Sequence, residues 1–514
     1  MEIMSRRNWM LASALGVTSF SMRHGSGRLT FAPGRKRRIL FNDDAYQQRQ
    51  HLKSVYHVID EQSFLAARTT PTFDTQVDTY VWCVGNGSEP PWGPWGLKHR
   101  APIYPVLGST RRATDLIVNA CHAQGLEVWG SLRINDVHDA NAELAETNDP
   151  LKAQYPEYLV GGESDRDLPE ERIERLHWSA FNFERPEVRE HRLSFIRRNA
   201  SAHDFDGYEL DFTRFIWNFP QGRELDLAPM LTDFMRRVRQ TLNDIAKKRG
   251  RPYTLIVHVM DSVEASLLLG QDVEAWLKER LVDVVVVGMG GLPFTLPMDQ
   301  WSELGARFGV PIYPSLHPRR SFHHSGRQNR RTIWQDWLRG QAAWSLQSGA
   351  DGIYLFNLFT VADRWRYPKD VAYAPLREVG DLSTMRGKNQ LFAIEPVSAG
   401  GMFSQAGERP ALPIALDRHE RRLALPMGPH ADRPGVRSSI YITTQGGDPE
   451  AWLLLRINHV YLSRVRRDGD LWTAAVEPGV LRPGRNDLTL WSNAELEANQ
   501  NPIIVREVIV GVEG

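Results

Sequence analysis

Between residue 38 and about residue 360 the chain switches eight times from a short β-branched or aromatic run to a helix-compatible stretch, and this limits its fold more than any other feature. Strands are predicted at residues 38–41, 79–84, 126–134, 205–212, 253–260, 282–289, 310–316 and 352–356, from enrichment in Val, Ile, Tyr, Phe and Trp. Helices are predicted at 112–124, 186–202, 227–248, 272–280, 298–308 and 332–348. Gly125 stands where a C-cap is needed and Pro186 in a first turn. The run Val282-Asp283-Val284-Val285-Val286-Val287 is apolar enough to be buried on both faces, as parallel strands are. Eight such units argue for an α/β protein of the (β/α)8 TIM barrel type. An open doubly wound sheet is the competitor, but it needs a Gly-rich turn after its first strand. Here Gly288-Met289-Gly290-Gly291 follows the sixth and lacks the surrounding pattern.

The pattern changes near residue 390. Short alternating segments follow at 439–443, 452–457, 472–476, 487–491 and 505–512. Turn signals such as Gly446-Gly447-Asp448-Pro449 and Pro483-Gly484-Arg485-Asn486 separate them. This spacing predicts an all-β sandwich. Trp452, Trp472 and Trp491 fall in apolar strand patterns and are expected in its core. A chain of 514 residues accommodates both units. The expected division is an export signal and linker (1–37), a (β/α)8 barrel carrying the catalysis (38–385) and a β-sandwich accessory domain (395–514).

Lys+Arg and Asp+Glu are equal at 62 each, so nucleic acid is not the expected partner. Two cysteines, Cys83 and Cys121, make neither a disulfide scaffold nor a zinc cluster, and both are read as small buried hydrophobes. At the N-terminus, Ser5-Arg6-Arg7-Asn8-Trp9-Met10 precedes the apolar run Leu11 to Val17. The layout resembles a twin-arginine export signal and predicts a periplasmic protein. No later apolar run approaches the ~20 residues of a membrane span. No cofactor is expected, and the oligomeric state stays open.

The chemistry concentrates in Phe205-Asp206-Gly207-Tyr208-Glu209-Leu210-Asp211-Phe212-Thr213-Arg214. Side chains at i and i+2 of a strand share a face, so Glu209 and Asp211 point together, toward the mouth if the strand lies in a barrel. Two carboxyl groups are what glycoside hydrolysis needs: one protonates the leaving oxygen, the other is nucleophile or base. Their expected separation along a strand is roughly 6.5–7 Å, and mutual repulsion would raise the pKa of one. Glu209, with the longer arm, is taken as the acid. The alternative is that either acid forms a barrel salt bridge with Arg133 or Arg214. Other strand ends add Arg133, Asn135 and Asp136 (third), His258 and Asp261 (fifth) and His317 (seventh), with Asn42, Asp43 and Asp44 after the first. Asp261 is the second candidate for nucleophile or base, or else an N-cap for the segment from Ser262. His258 could equally be a core histidine, and Asp43 or Asp44 a turn residue. Strand seven carries no Glu, which disfavours a nucleophile there. Among the 16 Trp, Trp82, Trp92, Trp95, Trp178 and Trp217 fall at strand ends or in loops, where flat rings can stack on sugars. A metal site built on His317, His323 and His324 matches no ligand spacing, and none is expected.

Three segments occur in order: Tyr155-Pro156-Glu157-Tyr158, Phe181-Asn182-Phe183-Glu184-Arg185-Pro186-Glu187-Val188-Arg189, and Asp206-Gly207-Tyr208-Glu209-Leu210-Asp211. Together they resemble the glycosyl-hydrolase-like "family 10-like" barrel family over about residues 150–215. The resemblance implies a carbohydrate-acting barrel, often with an added β-sandwich. It carries Asp211, Arg214 and Asn182 into the site. Glu209 departs from the pattern, which has a non-acidic residue there. The expected function is therefore a glycoside hydrolase acting on an oligo- or polysaccharide. A non-catalytic carbohydrate-binding barrel and, behind it, a metal-dependent hydrolase are the rivals.

Overall fold

A computed structural model of the chain describes residue 32 and residues 35–44, 60–85, 110–140, 149–169, 172, 174–289, 294–318, 333–363, 365–395, 411–447, 450–493 and 502–514. Eight parallel strands close into a barrel in chain order: β1 (Ile39–Asp43), β2 (Val77–Gly85), β3 (Glu127–Arg133), β4 (Gly207–Asp211), β5 (Thr254–Val259), β6 (Val284–Val287), β7 (Ile312–Leu316) and β8 (Ile353–Leu355). β8 pairs back onto β1, with Leu40 opposite Tyr354. The (β/α)8 expectation holds. The helix Glu61–Arg68 between β1 and β2, capped by Asp60 and Ser63, escaped the sequence reading because it is short and only weakly amphipathic.

Alternation along each strand sorts the side chains. Leu40, Val81, Trp129, Ile256, Val284, Val286, Tyr313 and Tyr354 pack together inside the barrel. The residues that alternate with them face the helices. The N-terminal end is closed by Glu127, which accepts from Arg37 Nη2 at 2.8 Å and Thr79 Oγ1 at 2.8 Å. Asp43 points outward, where Arg68 bridges it (2.7 Å) to Asp363 (2.6 Å) behind the wall. Asp206, at the start of β4, also lies at the closed end. It accepts from His122 at 2.8 Å and from Val128 N at 2.9 Å, and pairs with Arg251. The first acid of the Asp-Gly-x-x-x-Asp segment is therefore a fold residue. Cys83 and Cys121 are buried free thiols, and burial pushes Cys83 up to about 12.

Two antiparallel sheets follow the barrel. One joins β10 (Ile414–Leu416), β18 (Ile503–Glu513), β12 (Arg437–Gln445), β16 (Leu471–Val476) and β15 (Arg466–Asp468), with β9 (Gln390–Ile394) also on β18. The other joins β11 (Arg421–Met427), β17 (Gly484–Ser492), β13 (Leu453–Ile457) and β14 (Val460–Tyr461). The sheets dock on the barrel helix Ile333–Gln347, and at Gly340 any Cβ would lie 1.8 Å from Leu391 O. Glu395, after β9, accepts from Phe294 N at 3.0 Å in the connection beyond β6. Trp472 is buried as expected, its indole donating to Thr444 Oγ1 at 3.0 Å. Trp452 is not: it is 49% exposed. β13 alternates with Leu453, Leu455 and Ile457 facing inward, so Trp452, of the opposite parity, stays outside. Trp491 is half-buried on the outer face, edge-on to Tyr461 at 5.9 Å.

Among the described residues no helix is long and apolar enough to cross a membrane. The proposed export segment lies outside the described residues.

Candidate active site

The register across β3, β4 and β5 decides what meets at the mouth. Arg133 stands opposite Asp211, which stands opposite His258; one layer deeper, Ser131 is opposite Glu209 and Glu209 opposite Ile256. Glu209 and Asp211 therefore both point into the barrel, at different depths. Asp211 is 5% exposed at the mouth, and Glu209 beneath it is 0% exposed.

Depth gives the two acids different chemistry. Burial, reinforced by the charge of Asp211, raises Glu209 from its ordinary 4.5 to about 8, against the pull of hydrogen bonds from Ser131 and Tyr354. Glu209 is therefore protonated at neutral pH, its Oε2 3.3 Å from Tyr354 Oη. Asp211 Oδ1 accepts from Thr213 N (2.9 Å), Thr213 Oγ1 (2.8 Å) and Arg214 N (3.1 Å), which folds the chain sharply after β4. His258 Nδ1 is 3.8 Å from the same oxygen. Its Nε2 is 2.7 Å from Gly288 O, an acceptor, so the proton sits on Nε2 and Nδ1 is left as an acceptor facing Asp211. Burial lowers the pKa of this imidazole, more than Asp211 raises it.

A second cluster joins this one. Arg133 pairs with Asp44 Oδ1 at 2.8 Å and with Asp136 Oδ2 at 3.2 Å. Asp44 also accepts from Asn357 Nδ2 at 2.6 Å, with Asn357 held at φ +52 just past β8. Burial would raise Asp44, but the charges of Arg133 and Arg214 and the Asn357 amide outweigh it and hold Asp44 below the usual carboxylate range. Asp136 is likewise driven well down, by His138 and Arg133 against its burial. Arg133 is thus engaged by Asp44 and Asp136 rather than by Glu209. Asn357, Tyr354 and Ser131 join the cluster without having been singled out in the sequence, and Asp44, named there as a polar group after strand one or a turn residue, lies in it too. Their signal was positional: Asp44, Ser131 and Tyr354 share the inward parity of their strands, and Asn357 follows β8 in a left-handed conformation.

Several expected ligand-binding residues have structural employment. Asn135 accepts from Phe181 N (2.8 Å) and donates to Phe181 O (2.9 Å) and Trp217 O (2.6 Å), stitching three loops together. We expect Asn135→Ala to cost about 1–3 kcal/mol of stability, the scale for stranded buried partners, with hydrogen exchange accelerating first around Phe181 and Trp217. Asn182 Oδ1 accepts from Glu184 N at 2.9 Å, shaping the turn ahead of the helix Pro186–Ala202. Trp178 (8% exposed) and Trp217 (6%) are buried in the loop packing, and Trp217 lies 4.9 Å from the His177 ring. Neither offers a sugar platform. Trp82 is also fully buried, its indole on Thr114. Trp92 and Trp95 lie outside the described residues.

Asp261 lies beyond β5, partly exposed, its Oδ1 accepting from Met289 N at 3.0 Å past β6. It is not an N-cap; Ser262 caps the helix Val263–Leu268. His317 is half-buried after β7, its Nδ1 2.9 Å from Pro318 O. Among the described residues no group of three or more His, Cys, Asp or Glu is arranged to hold a metal, and His323 and His324 lie outside them.

No protein-family model and no curated protein sequence matches the chain, so the family resemblance rests on its three segments alone. Among solved structures, an α-amylase from Anoxybacillus shares 13% identity at a TM-score of 0.40, covering 91% of this chain and 100% of its own. The glycoside hydrolase domain of PgaB (BpsB) from Bordetella bronchiseptica shares 16% at 0.43, covering 68% and 99%. An α-galactosidase from Geobacillus stearothermophilus shares 10% at 0.36, covering 89% and 56%. Likenesses this distant assign no chemistry, and the fold stands on its own strand pairings.

Proposed function

We propose that the barrel is a glycoside hydrolase in which Asp211 is the carboxylate that meets the glycosidic bond. The observation that carries this is the stacking of two inward carboxyls on β4, the deeper held protonated and the shallower at the mouth. Glu209 is too deep to touch a substrate outside the lumen, so its part is to keep its proton and leave the mouth charge to Asp211. Asp261, on the neighbouring strand end and partly exposed, is the proposed partner acid or base. His258 Nδ1 can accept a proton or hydroxyl hydrogen beside Asp211. No resident cofactor enters this scheme. Reducing-end release from a glycan panel, by the wild type and Asp211→Asn, tests it.

One observation favours the rival, a carbohydrate-binding barrel without turnover. Asp211 Oδ1 already holds three donors of its own turn. Glycan binding without reducing-end release, unaltered by Asp211→Asn, would establish that alternative.

We further propose export through the Ser5-Arg6-Arg7 segment. Replacing Arg6 and Arg7 by Lys should retain the protein in the cytoplasm on fractionation; unaltered periplasmic recovery would refute the route.

A further inference from the structure

The buried arginines of the barrel are consistently matched to acids. Arg37 is paired with Glu127, Arg68 with Asp43 and Asp363, and Arg133 with Asp44 and Asp136. Arg214, which is half-buried, has no such partner among the described residues. It follows Asp211 by three residues, and its backbone N–H donates to Asp211 Oδ1 at 3.1 Å, which fixes where its side chain starts. Its Nε is buried and makes no hydrogen bond among the described residues. Its guanidinium carbon lies 6.0 Å from the Phe215 ring centre. The guanidinium forms no ion pair among the described residues, yet it lies within electrostatic reach of Arg133, Asp44, Asp136 and Asp211.

Among the described residues, the neighbouring acids make their hydrogen bonds and ion pairs elsewhere. Asp44 and Asp136 are bonded to Arg133, Asp136 also to His138 at 2.7 Å, and Asp211 Oδ1 to its own turn. Their combined charge offsets the repulsion from Arg133, but none of them hydrogen-bonds the Arg214 side chain among the described residues. Its Nε is shut off from solvent while the residue as a whole is half-buried, and its planar fork suits a carboxylate or sulfate.

We propose that Arg214 receives an anionic substituent, a carboxylate or sulfate, on the glycan that occupies the mouth, so that the barrel's substrates are acidic polysaccharides. This rests on the glycan-acting reading of the site and names its substrate class. Arg214 is a specificity residue; it stands next to the acids and donates to the substituent rather than to the reacting bond.

The test is a set of matched pairs measured by calorimetry on the full chain carrying Asp211→Asn, which blocks turnover. One pair is oligogalacturonate against its carboxyl-reduced form; the other is a chondroitin sulfate oligomer against its desulfated form, again carboxyl-reduced in both members. We expect the anionic member of at least one pair to bind about tenfold tighter or more, and which pair does so separates carboxylate from sulfate. Adding Arg214→Gln should bring that ratio close to one, with Arg214→Lys between. Ratios within about twofold in both pairs overturn the proposal. So does a preference that survives Arg214→Gln in a protein that melts like its parent. If Arg214→Gln does not fold, the ratios of its parent decide alone. Anionic preference with no reducing-end release from any glycan by the wild type would sink the hydrolase and spare this inference. Equal release from charged and neutral glycans would do the reverse.

Discussion

Asp211→Asn should lower kcat for glycan hydrolysis on the order of 10³-fold, the scale of losing a positioned acid, base or nucleophile. The substitution is informative because it leaves the local geometry intact. An Asn Oδ1 can still accept from Thr213 N, Thr213 Oγ1 and Arg214 N, so the turn after β4 survives and only the charge is lost. If Asp211 served that turn alone, Asp211→Asn would be nearly silent. Steady-state rates together with melting curves separate these outcomes. Unchanged kcat at unchanged stability would remove Asp211 from the chemistry. Asp211→Ala is the poorer probe, since it deletes three acceptor contacts as well as the carboxylate.

The second large effect concerns stability. Glu209 has an ordinary pKa of 4.5 and a folded value of about 8. Between those values the native state holds a proton that the unfolded state has released. The unfolded state binds fewer protons there, so stability falls as pH rises from about 4.5 to about 8, and levels off above that. The full span is on the order of 5 kcal/mol. Glu209→Gln keeps a neutral side chain that can still accept from Tyr354 and carries no proton to lose. This variant should show a flatter stability profile, and its advantage over the wild type should grow from acid to neutral pH. Denaturant titrations at pH 5, 6, 7 and 8 measure it. Parallel profiles for the two proteins would mean that Glu209 is not held neutral by its depth.

The barrel was readable in the sequence because burial on both faces leaves a strong mark: Val284 to Val287 needs no partner information to be a central parallel strand. The sandwich was readable from its turns, but its individual faces were less so. Trp452 shows why, since neighbours along a strand face opposite ways and the apolar run from Trp452 to Leu455 does not itself say which parity is the core. Functional residues divided along a similar line. The i, i+2 spacing put Glu209 and Asp211 on one face without help. The loops were opaque, because Asn135, Asn182, Trp178 and Trp217 have residue types that serve packing and binding alike, and only their partners tell which.

By itself, the sequence determined the class of fold, the inward pairing of Glu209 with Asp211 and the cluster of polar strand ends, since all three follow from periodicity along a single strand or from the count of strands. Tertiary structure alone decided the depth of each acid, the capture of Arg133 by Asp44 and Asp136, and the isolation of Arg214. Those outcomes depend on register between strands and on contacts across hundreds of residues, such as Asn357 on Asp44. The local sequence carries no record of either, and it is burial and partner distance that set a charge state.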